Sequence, residues 1–364
     1  MGRRPGVARS SWPIATADLV GLGAQLSVAM GRVPFRRPWS GEGNLPHNLA
    51  VSVTRETIRS FMGYLTALPI DEFRSVELIL DDLCSMALTP LVQTLGVEQE
   101  AAEVAGVPGF WYRPREAEPV GTLIYLHGGG YVGTSPRMYA VFVAWMCRRT
   151  GCEIFVADIR LAPEFPFPAG LEDAALVLEA LLAGGTDSAR LFVAGDSSGG
   201  GLVSSLMYSL QHIHHRPIAG VILFSPELDL LLDEPSVAGN ADRDILPWNI
   251  PTSAYLHGRA AGSAPFSGVD QDVSGWPPTF VCFGSDEMFR DAIRAFVGHL
   301  DAAGVDVTAI EEPGMFHVYP ILMPWAEGSR RTYQAVGEFV RAHLPDTASG
   351  SASAGPTEAA ASGG

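Results

Sequence analysis

The amino-acid sequence predicts an α/β fold in which a mostly parallel central sheet is flanked by helices. Of the 364 residues, 47% are hydrophobic and 18% are charged, a composition that can bury a large core. From about residue 103, short apolar runs alternate with amphipathic stretches of helical length. The strand-like runs cover residues 123–126, 154–157, 191–194, 221–224, 279–283 and 305–310. Strands separated in this way pair in parallel through right-handed crossovers.

The helix candidates between these runs have the spacing of apolar residues that one buried face requires. They cover residues 136–149, 171–183, 198–211, 287–303 and 329–343. The first of them finishes with Arg148 and Arg149 before Gly151, which is a typical stop signal for a helix. We therefore expect helices on both faces of the sheet.

The first hundred residues read as mostly helical and carry no catalytic motif. A short apolar helix is predicted near residues 17–30, and two clearer helices lie on either side of Pro69. The predicted organisation is a helical N-terminal segment over 1–100, an α/β domain over 101–345 and a tail over 346–364. The tail is dominated by Ala, Ser, Gly and Thr, so we expect it to be disordered.

Charge and cysteine content exclude several classes of function. The 24 basic and 40 acidic residues give a net charge of −16, which disfavours binding to nucleic acid or to anionic lipid. The four cysteines form no CxxC pair, so free thiols in a reducing compartment are expected.

The apolar stretch after Arg3 and Arg4 lacks a clear signal-cleavage site. No apolar run reaches the ~18 residues of a membrane span, and we expect a cytoplasmic protein.

The strongest local signal is a candidate nucleophile in the run Gly195-Asp-Ser197-Ser198-Gly199. It fits the pattern G-x-S-x-G and lies between an apolar strand and an amphipathic helix, which is the context that this motif requires. The glycines permit a sharp turn that holds Ser197 clear of the sheet. A glycine-rich turn or an anion site at the helix start is the alternative interpretation.

A second glycine-rich turn, His127-Gly128-Gly129-Gly130, follows the strand-like run at 123–126. Bare glycine backbone lets N–H donors approach a developing oxyanion closely. In lipases and esterases such a turn contributes to the oxyanion hole opposite the nucleophile. The predicted donors are Gly129, Gly130 and Ser198, while His127 is expected to form hydrogen bonds within the turn.

A serine nucleophile needs a histidine base, and nine histidines compete for this role. In enzymes with this nucleophile turn, the acid and then the histidine follow the serine along the chain. Three histidines, at positions 212, 214 and 215, crowd the end of the helix after Ser197, and His299 and His343 lie in or at the end of helices. His317 lies in a loop after the last strand-like run and is the predicted base.

The predicted acid is Asp286, which follows the strand-like run at 279–283. Asp291 lies more than one turn into the following helix. Glu287 is expected to begin that helix and to point away from its neighbour. Asp286 is therefore the carboxylate that the sequence places at the sheet edge, where catalytic sites are built.

Taken together, the motifs HGGG, GDSSGG, GSDE and GMFHV resemble those of the bacterial hormone-sensitive-lipase family of α/β-hydrolase esterases. The run at 158–169, rich in proline, belongs to the same pattern, and within it we expect Arg160 to pair with a carboxylate such as Glu164. The resemblance covers about residues 120–345. It implies an α/β-hydrolase fold with an N-terminal helical cap. The implied triad is Ser197, Asp286 and His317.

The resemblance also implies the activity, which is hydrolysis of short- to medium-chain carboxylic esters through an acyl-enzyme intermediate. No metal or cofactor is expected. A lactone hydrolase using the same triad is one alternative, and a non-catalytic receptor for a small ligand is a remote one. The expected partner is a small ester or lactone, and the sequence leaves a homodimer open.

Overall fold

A computed structural model of the chain describes residues 7–40, 43–213, 218–247, 252–262, 265–266, 268 and 271–345. Its centre is one sheet with the strand order β1-β2-β4-β3-β5-β6-β7-β8. The strands are β1 (Val97–Val104), β2 (Val107–Pro114), β3 (Thr122–Leu126), β4 (Glu153–Ala157), β5 (Leu191–Asp196), β6 (Gly220–Phe224), β7 (Thr279–Gly284) and β8 (Val307–Glu312). From β4 to β8 every neighbouring pair is parallel, so the predicted mostly parallel α/β sheet is confirmed.

Helices precede the sheet and connect its strands. They are α1 (Trp12–Arg32), α2 (Leu45–Leu65), α3 (Ile70–Thr94), α4 (Ala140–Thr150), α5 (Ala169–Ala183), α6 (Ser197–Ile213), α7 (Pro235–Gly239), α8 (Thr252–Leu256), α9 (Arg290–Ala302), α10 (Tyr319–Leu322) and α11 (Glu327–Ala342). As the sequence indicated, α4 ends before Gly151, which adopts a left-handed conformation with φ of 74°. The expected tail at 346–364 lies outside the described residues.

The core is divided between the two faces of the sheet because strand side chains alternate. In β3, Ile124 and Leu126 pack on the face covered by α5, α6 and α9, whereas Leu123 and Tyr125 pack on the face covered by α4 and α11. All four side chains are fully buried. A strand buried on both faces reads as a continuous apolar run, which explains why β3 was recognisable from the sequence.

The antiparallel strands β1 and β2 were not predicted. They form a hairpin at the sheet edge, and β2 continues the sheet by pairing with β4. The expected domain boundary at residue 100 falls inside β1, since the strand begins at Val97. The sequence of β1 is VEQEAAEV, and such a polar edge strand lacks the apolar run by which the central strands were identified.

The helices α1–α3 pack against one another. Arg74 of α3 connects them to the α/β body, which comprises the sheet and the helices from α4 onward. This buried guanidinium donates to both carboxylate oxygens of Glu164, at 3.0 and 2.7 Å, and to the carbonyl of Ala162 at 2.8 Å. The expectation that Arg160 pairs with a carboxylate is confirmed, but Glu164, the example given, is not its partner. Arg160 instead binds Asp173, with an Nε–Oδ1 distance of 2.9 Å.

The outer side of α1 is apolar and exposed. Trp12 is 75% exposed and Val20 69%, and Phe35 in the turn that follows is 83% exposed. By length and composition alone, Trp12–Arg36 is one helical segment that could cross a membrane, with a mean hydropathy of 1.3. This finding corrects the expectation that no apolar stretch has this length.

Candidate active site

The candidate nucleophile Ser197 lies at the junction of β5 and α6. Its φ of 51° is in the left-handed region, which a residue with a side chain adopts only when the surrounding structure imposes it. The conformation follows from a strand that passes directly into a helix, with β5 ending at Asp196 and α6 beginning at Ser197. This is the strained strand-to-helix turn that G-x-S-x-G predicts.

Glycines make the turn sterically feasible because neighbouring backbone segments leave no room for side chains. A Cβ on Gly195 would lie 2.6 Å from the carbonyl oxygen of Gly199. A Cβ on Gly199 would collide with the carbonyl oxygen of Leu126 at the end of β3. Gly195 therefore allows the nucleophile turn to close on itself, and Gly199 allows that turn to pack against the turn after β3.

The imidazole of His317 meets the Ser197 hydroxyl. Nε2 of His317 and Oγ of Ser197 are 2.9 Å apart, and the two side chains are 120 residues apart in the sequence. His317 is 2% exposed, and Phe289 packs edge-on against its ring at a centroid distance of 5.0 Å. Burial lowers the pKa of His317, while the nearby carboxylates of Asp244 and Asp196 oppose that shift. Burial therefore favours the neutral form of the imidazole, which can accept a proton.

The loop that carries His317 is docked on the end of β7. A Cβ on Gly284 would collide with the carbonyl oxygen of Met315, so only glycine permits this approach. Oγ of Ser285 accepts a hydrogen bond from the Gly314 N–H at 2.8 Å, and the Asp286 N–H donates to Met315 at 2.9 Å. The GSDE and GMFHV motifs thus bind each other through their backbones.

The structure does not bring the Asp286 carboxylate to His317. The Asp286 side chain is 21% exposed and lies 3.7 Å from Nη1 of Arg243. Oε2 of the adjacent Glu287 lies 3.3 Å from Nδ1 of His317, and the Glu287 side chain is completely buried. Burial raises the pKa of Glu287 well above its usual value. The carboxylate beside the imidazole is therefore that of Glu287, which corrects the expected placement of Asp286.

The reason for this difference is the position at which α9 begins. The sequence predicted a helix from residue 287, but α9 starts at Arg290, so Glu287 still belongs to the turn after β7. Its N–H points back to the carbonyl of Gly284 at 3.4 Å. In this turn Asp286 faces Arg243 and Glu287 faces His317. The buried apolar pair Met288–Phe289 after Glu287 was the available signal that the chain there runs into the core.

The HGGG turn and the nucleophile turn share the buried carboxylate of Asp196. Its Oδ1 accepts from the Tyr125 hydroxyl at 2.7 Å and from the Gly128 N–H at 3.0 Å, and its Oδ2 accepts from the Tyr139 hydroxyl at 2.9 Å. Burial raises the pKa of Asp196 to about 6. Sequence reasoning assigned Asp196 no role, yet it fixes the two turns relative to each other.

His127 forms hydrogen bonds within its own turn, as expected. Its Nδ1 lies 2.9 Å from Oγ1 of Thr134 and 3.0 Å from the carbonyl oxygen of Gly128. Gly129 and Gly130, the candidate oxyanion donors of this turn, have φ angles of 120° and 63°. Ser198 is the second residue of α6, and the first N–H groups of a helix have no acceptor within it.

A cavity of about 280 Å³ opens above Ser197 and His317. Gly129 and Gly130 line it on one side, and α2 and α3 cover it with apolar side chains. The covering residues are Ile58, Phe61, Met62, Leu65, Phe73 and Leu80. Glu227 also lines the cavity, and burial raises the pKa of this carboxyl group to about 8. The Ser197 hydroxyl, the His317 imidazole and the Glu227 carboxyl group thus line the same mostly apolar cavity.

Within the described ranges, no group of three or more His, Cys, Asp or Glu residues is placed to hold a metal ion. Of the competing histidines, His299 donates from Nε2 to the carbonyl of Gln271 at 2.8 Å, and His343 donates from Nε2 to the carboxylate of Asp306 at 3.1 Å. The side chain of His212 and all of His214 and His215 lie outside the described residues. His317 is the histidine that the structure brings to Ser197.

Comparison with known proteins agrees with this geometry. A family model described as the alpha/beta hydrolase fold matches residues 123–321, more than half of the chain. An acetyl-hydrolase from Streptomyces hygroscopicus is 32% identical over 235 residues, which cover 64% of this chain and 78% of the relative. The chain is a member of the bacterial hormone-sensitive-lipase-like esterases of the α/β-hydrolase fold. This esterase therefore hydrolyses carboxylic esters.

Solved structures place the esterase in the same group. An esterase of the bacterial hormone-sensitive lipase family superposes with a TM-score of 0.66 at 29% identity, covering 88% of this chain and 99% of that one. A mutant of the esterase E40 gives a TM-score of 0.71 at 30% identity, covering 80% and 99%. The first match extends over most of the esterase and not over the sheet alone.

Proposed function

We propose that this esterase uses Ser197, His317 and Glu287 as its catalytic triad. The observation that carries the proposal is the 2.9 Å contact between Ser197 Oγ and His317 Nε2 at the base of the cavity. Nε2 accepts the hydroxyl proton as Oγ attacks the ester carbonyl, and it then returns the proton to the departing alcohol. Water repeats the sequence on the acyl-enzyme and releases the acid.

In this proposal Glu287 has the role that the sequence analysis predicted for Asp286. Its carboxylate faces Nδ1 of His317 at 3.3 Å, which fixes the tautomer that leaves Nε2 free to accept a proton. It also offsets the positive charge that the imidazole gains during the reaction. The oxyanion of the tetrahedral intermediate is assigned to the N–H groups of Gly129, Gly130 and Ser198, since Gly129 and Gly130 line the cavity and Ser198 adjoins the nucleophile.

The proposed substrates are carboxylic esters with short to medium acyl chains, and the proposed location is the cytoplasm. The N-terminal helices α2 and α3 act as a cap that closes the chamber, and its volume of about 280 Å³ limits chain length. Burial of each methylene contributes only about 0.8 kcal/mol, which one steric conflict cancels. We expect the highest kcat/KM for acyl chains of roughly two to eight carbons.

A panel of p-nitrophenyl esters from acetate to palmitate, measured beside a panel of lactones, tests this proposal. A maximum of kcat/KM at short or medium esters supports it. A maximum at palmitate contradicts the capped chamber, and higher kcat/KM on lactones favours the lactone alternative, which uses the same atoms. Absence of turnover on both panels would favour a receptor.

A further inference from the structure

Asp244 is a buried carboxylate that the proposed triad does not use. It lies between α7 and α8, and its side chain is fully buried. Its Oδ1 accepts hydrogen bonds from the His317 N–H at 2.9 Å and from the Ile245 N–H at 2.7 Å. Its Oδ2 accepts from the Met288 N–H at 2.6 Å. The Asp244 carboxylate thus binds the backbone N–H of His317, the proposed base, and that of Met288, which follows Glu287.

The segment 240–244 holds the acid-bearing turn at a second point. Nδ2 of Asn240 donates to the carbonyls of Ser285 and Glu287, at 3.2 and 2.9 Å. Asn240 and Asp244 therefore bind both carbonyl and N–H groups of the turn that carries Glu287. Arg59 of α2 donates to the carbonyl of Ala241, so α2 also binds this segment.

The charge of Asp244 also acts on His317. Burial raises the pKa of Asp244 to about 6, and its backbone donors oppose that rise. Above that pH the carboxylate is ionised, and its charge raises the pKa of His317 against the effect of burial. The other carboxylates that face this imidazole are Asp196 and Glu287.

We propose that Asp244 is a positioning residue, which holds His317 and Glu287 in the relative placement that proton transfer from Ser197 requires. The inference rests on the proposed function, because it assigns Asp244 to the same triad. Hydrogen bonds from backbone N–H groups to an ionised carboxylate are short and strong, so Asp244 can fix the two segments tightly. It acts through His317 and Glu287 and does not contact the substrate.

The test compares Asp244→Asn with wild type and with Asp173→Asn in the full chain. Asp173 is a matched control, because it is a buried carboxylate that accepts from the Arg160 N–H at 2.7 Å, outside the cavity. The measurements are kcat and KM for p-nitrophenyl butyrate between pH 4 and 9, together with the unfolding temperature.

We expect Asp244→Asn to lower kcat by about 10²-fold, since small misplacements of reacting groups cost about that factor, with KM nearly unchanged. The acid limb of its kcat profile should move to lower pH, because removal of the charge lowers the pKa of His317. Asp173→Asn should lower the unfolding temperature and leave kcat and the acid limb in place.

An unchanged acid limb in Asp244→Asn, with kcat no lower than in the control, overturns the inference. If Asp244→Asn does not fold, Asp244→Glu replaces it. That variant keeps the negative charge but displaces the carboxylate oxygens. The inference then requires a kcat below that of the wild type, with the acid limb of the pH profile at its wild-type position. A wild-type kcat would overturn the inference. Failure of the proposed function looks different, because wild-type turnover would then persist in Ser197→Ala.

Discussion

The α/β body and the helical cap meet at the same cavity but contribute different chemistry to it. The body supplies the polar groups at its base, Ser197 and His317, with Glu287 behind the imidazole. The cap supplies mainly apolar side chains, such as Phe61 and Leu65. We therefore expect reactivity to depend on the side chains at the ends of the strands and selection by size to depend on α2 and α3. Substitutions in the body should change the rate for all esters, whereas substitutions in the cap should change which ester is preferred.

The largest expected effect is loss of the nucleophile. Ser197→Ala should lower kcat for every ester of the panel by about 10⁴-fold or more, because the residual rate comes from binding and the oxyanion donors alone. A fluorophosphonate probe should label Ser197 in the wild type and nothing in the variant, as read by mass spectrometry. Labelling at another residue would contradict the assignment.

The two adjacent carboxylates give the next largest contrast. Glu287→Gln should lower kcat by about 10²–10⁴-fold, since an amide cannot hold the imidazole in the required tautomer or offset its charge. Asp286→Asn is the matched control and should stay close to wild type, because its carboxylate faces Arg243. Steady-state kinetics of the two variants decide the point. A severe loss of kcat in Asp286→Asn, with Glu287→Gln still active, would show that Asp286 is the catalytic acid, as the sequence predicted.

A smaller and more selective effect is expected in the cap. Phe61→Ala should enlarge the cavity and raise kcat/KM for octanoate relative to butyrate by about tenfold, which corresponds to burial of about two of the four methylenes that octanoate adds. The rate of labelling by a small fluorophosphonate should remain unchanged. Leu83→Ala, at a 48% exposed position of α3, is the control that should alter neither quantity. An equal loss on both esters would show that α2 supports the site and does not select the chain.

The pH dependence reports on the body alone. Burial lowers the pKa of His317 below the usual 6.5, and the base is active only when neutral. Activity is therefore present above the pKa of His317 in the folded protein and is lost as pH falls through it, so the acid limb of kcat/KM should lie below about 6.5. Profiles of kcat/KM between pH 4 and 9 measure the limb. Activity that rises as pH drops below about 5 would exclude a histidine base.

The cysteines should have the smallest effect. All four are free thiols, and burial raises the pKa of Cys147 and Cys152 to about 12, so they stay protonated at pH 8. Cys84 is the most accessible of the four. We expect iodoacetamide to modify at most this thiol in the native protein, without loss of turnover. Thiol counting on denatured, unreduced protein should give four, and a lower count would reveal a disulfide.

Sequence reasoning correctly located the strand-to-helix turn at Ser197, because the backbone of that turn requires glycine at particular positions. Ser197 was identifiable because a strand, a strained turn and a helix each leave a pattern in the chain. It missed the carboxylate that lies beside His317, because Asp286 and Glu287 are chemically alike and only the start of α9 decides which of them faces inward. Asp244 left no signal at all. Its role depends on backbone groups 44 and 73 residues away, which no local pattern records.

The glycines that bring the nucleophile turn against the end of β3 also restrict how this enzyme can change. At Gly195 and Gly199 every substitution adds a Cβ where backbone atoms already lie, and a Cβ on Gly128 would lie 2.5 Å from Oδ2 of Asp196. A library of variants should therefore tolerate almost no diversity at these positions. We therefore expect adaptation to a new ester to proceed through the side chains of α2 and α3 that line the cavity, where a change of volume leaves Ser197 and His317 in place.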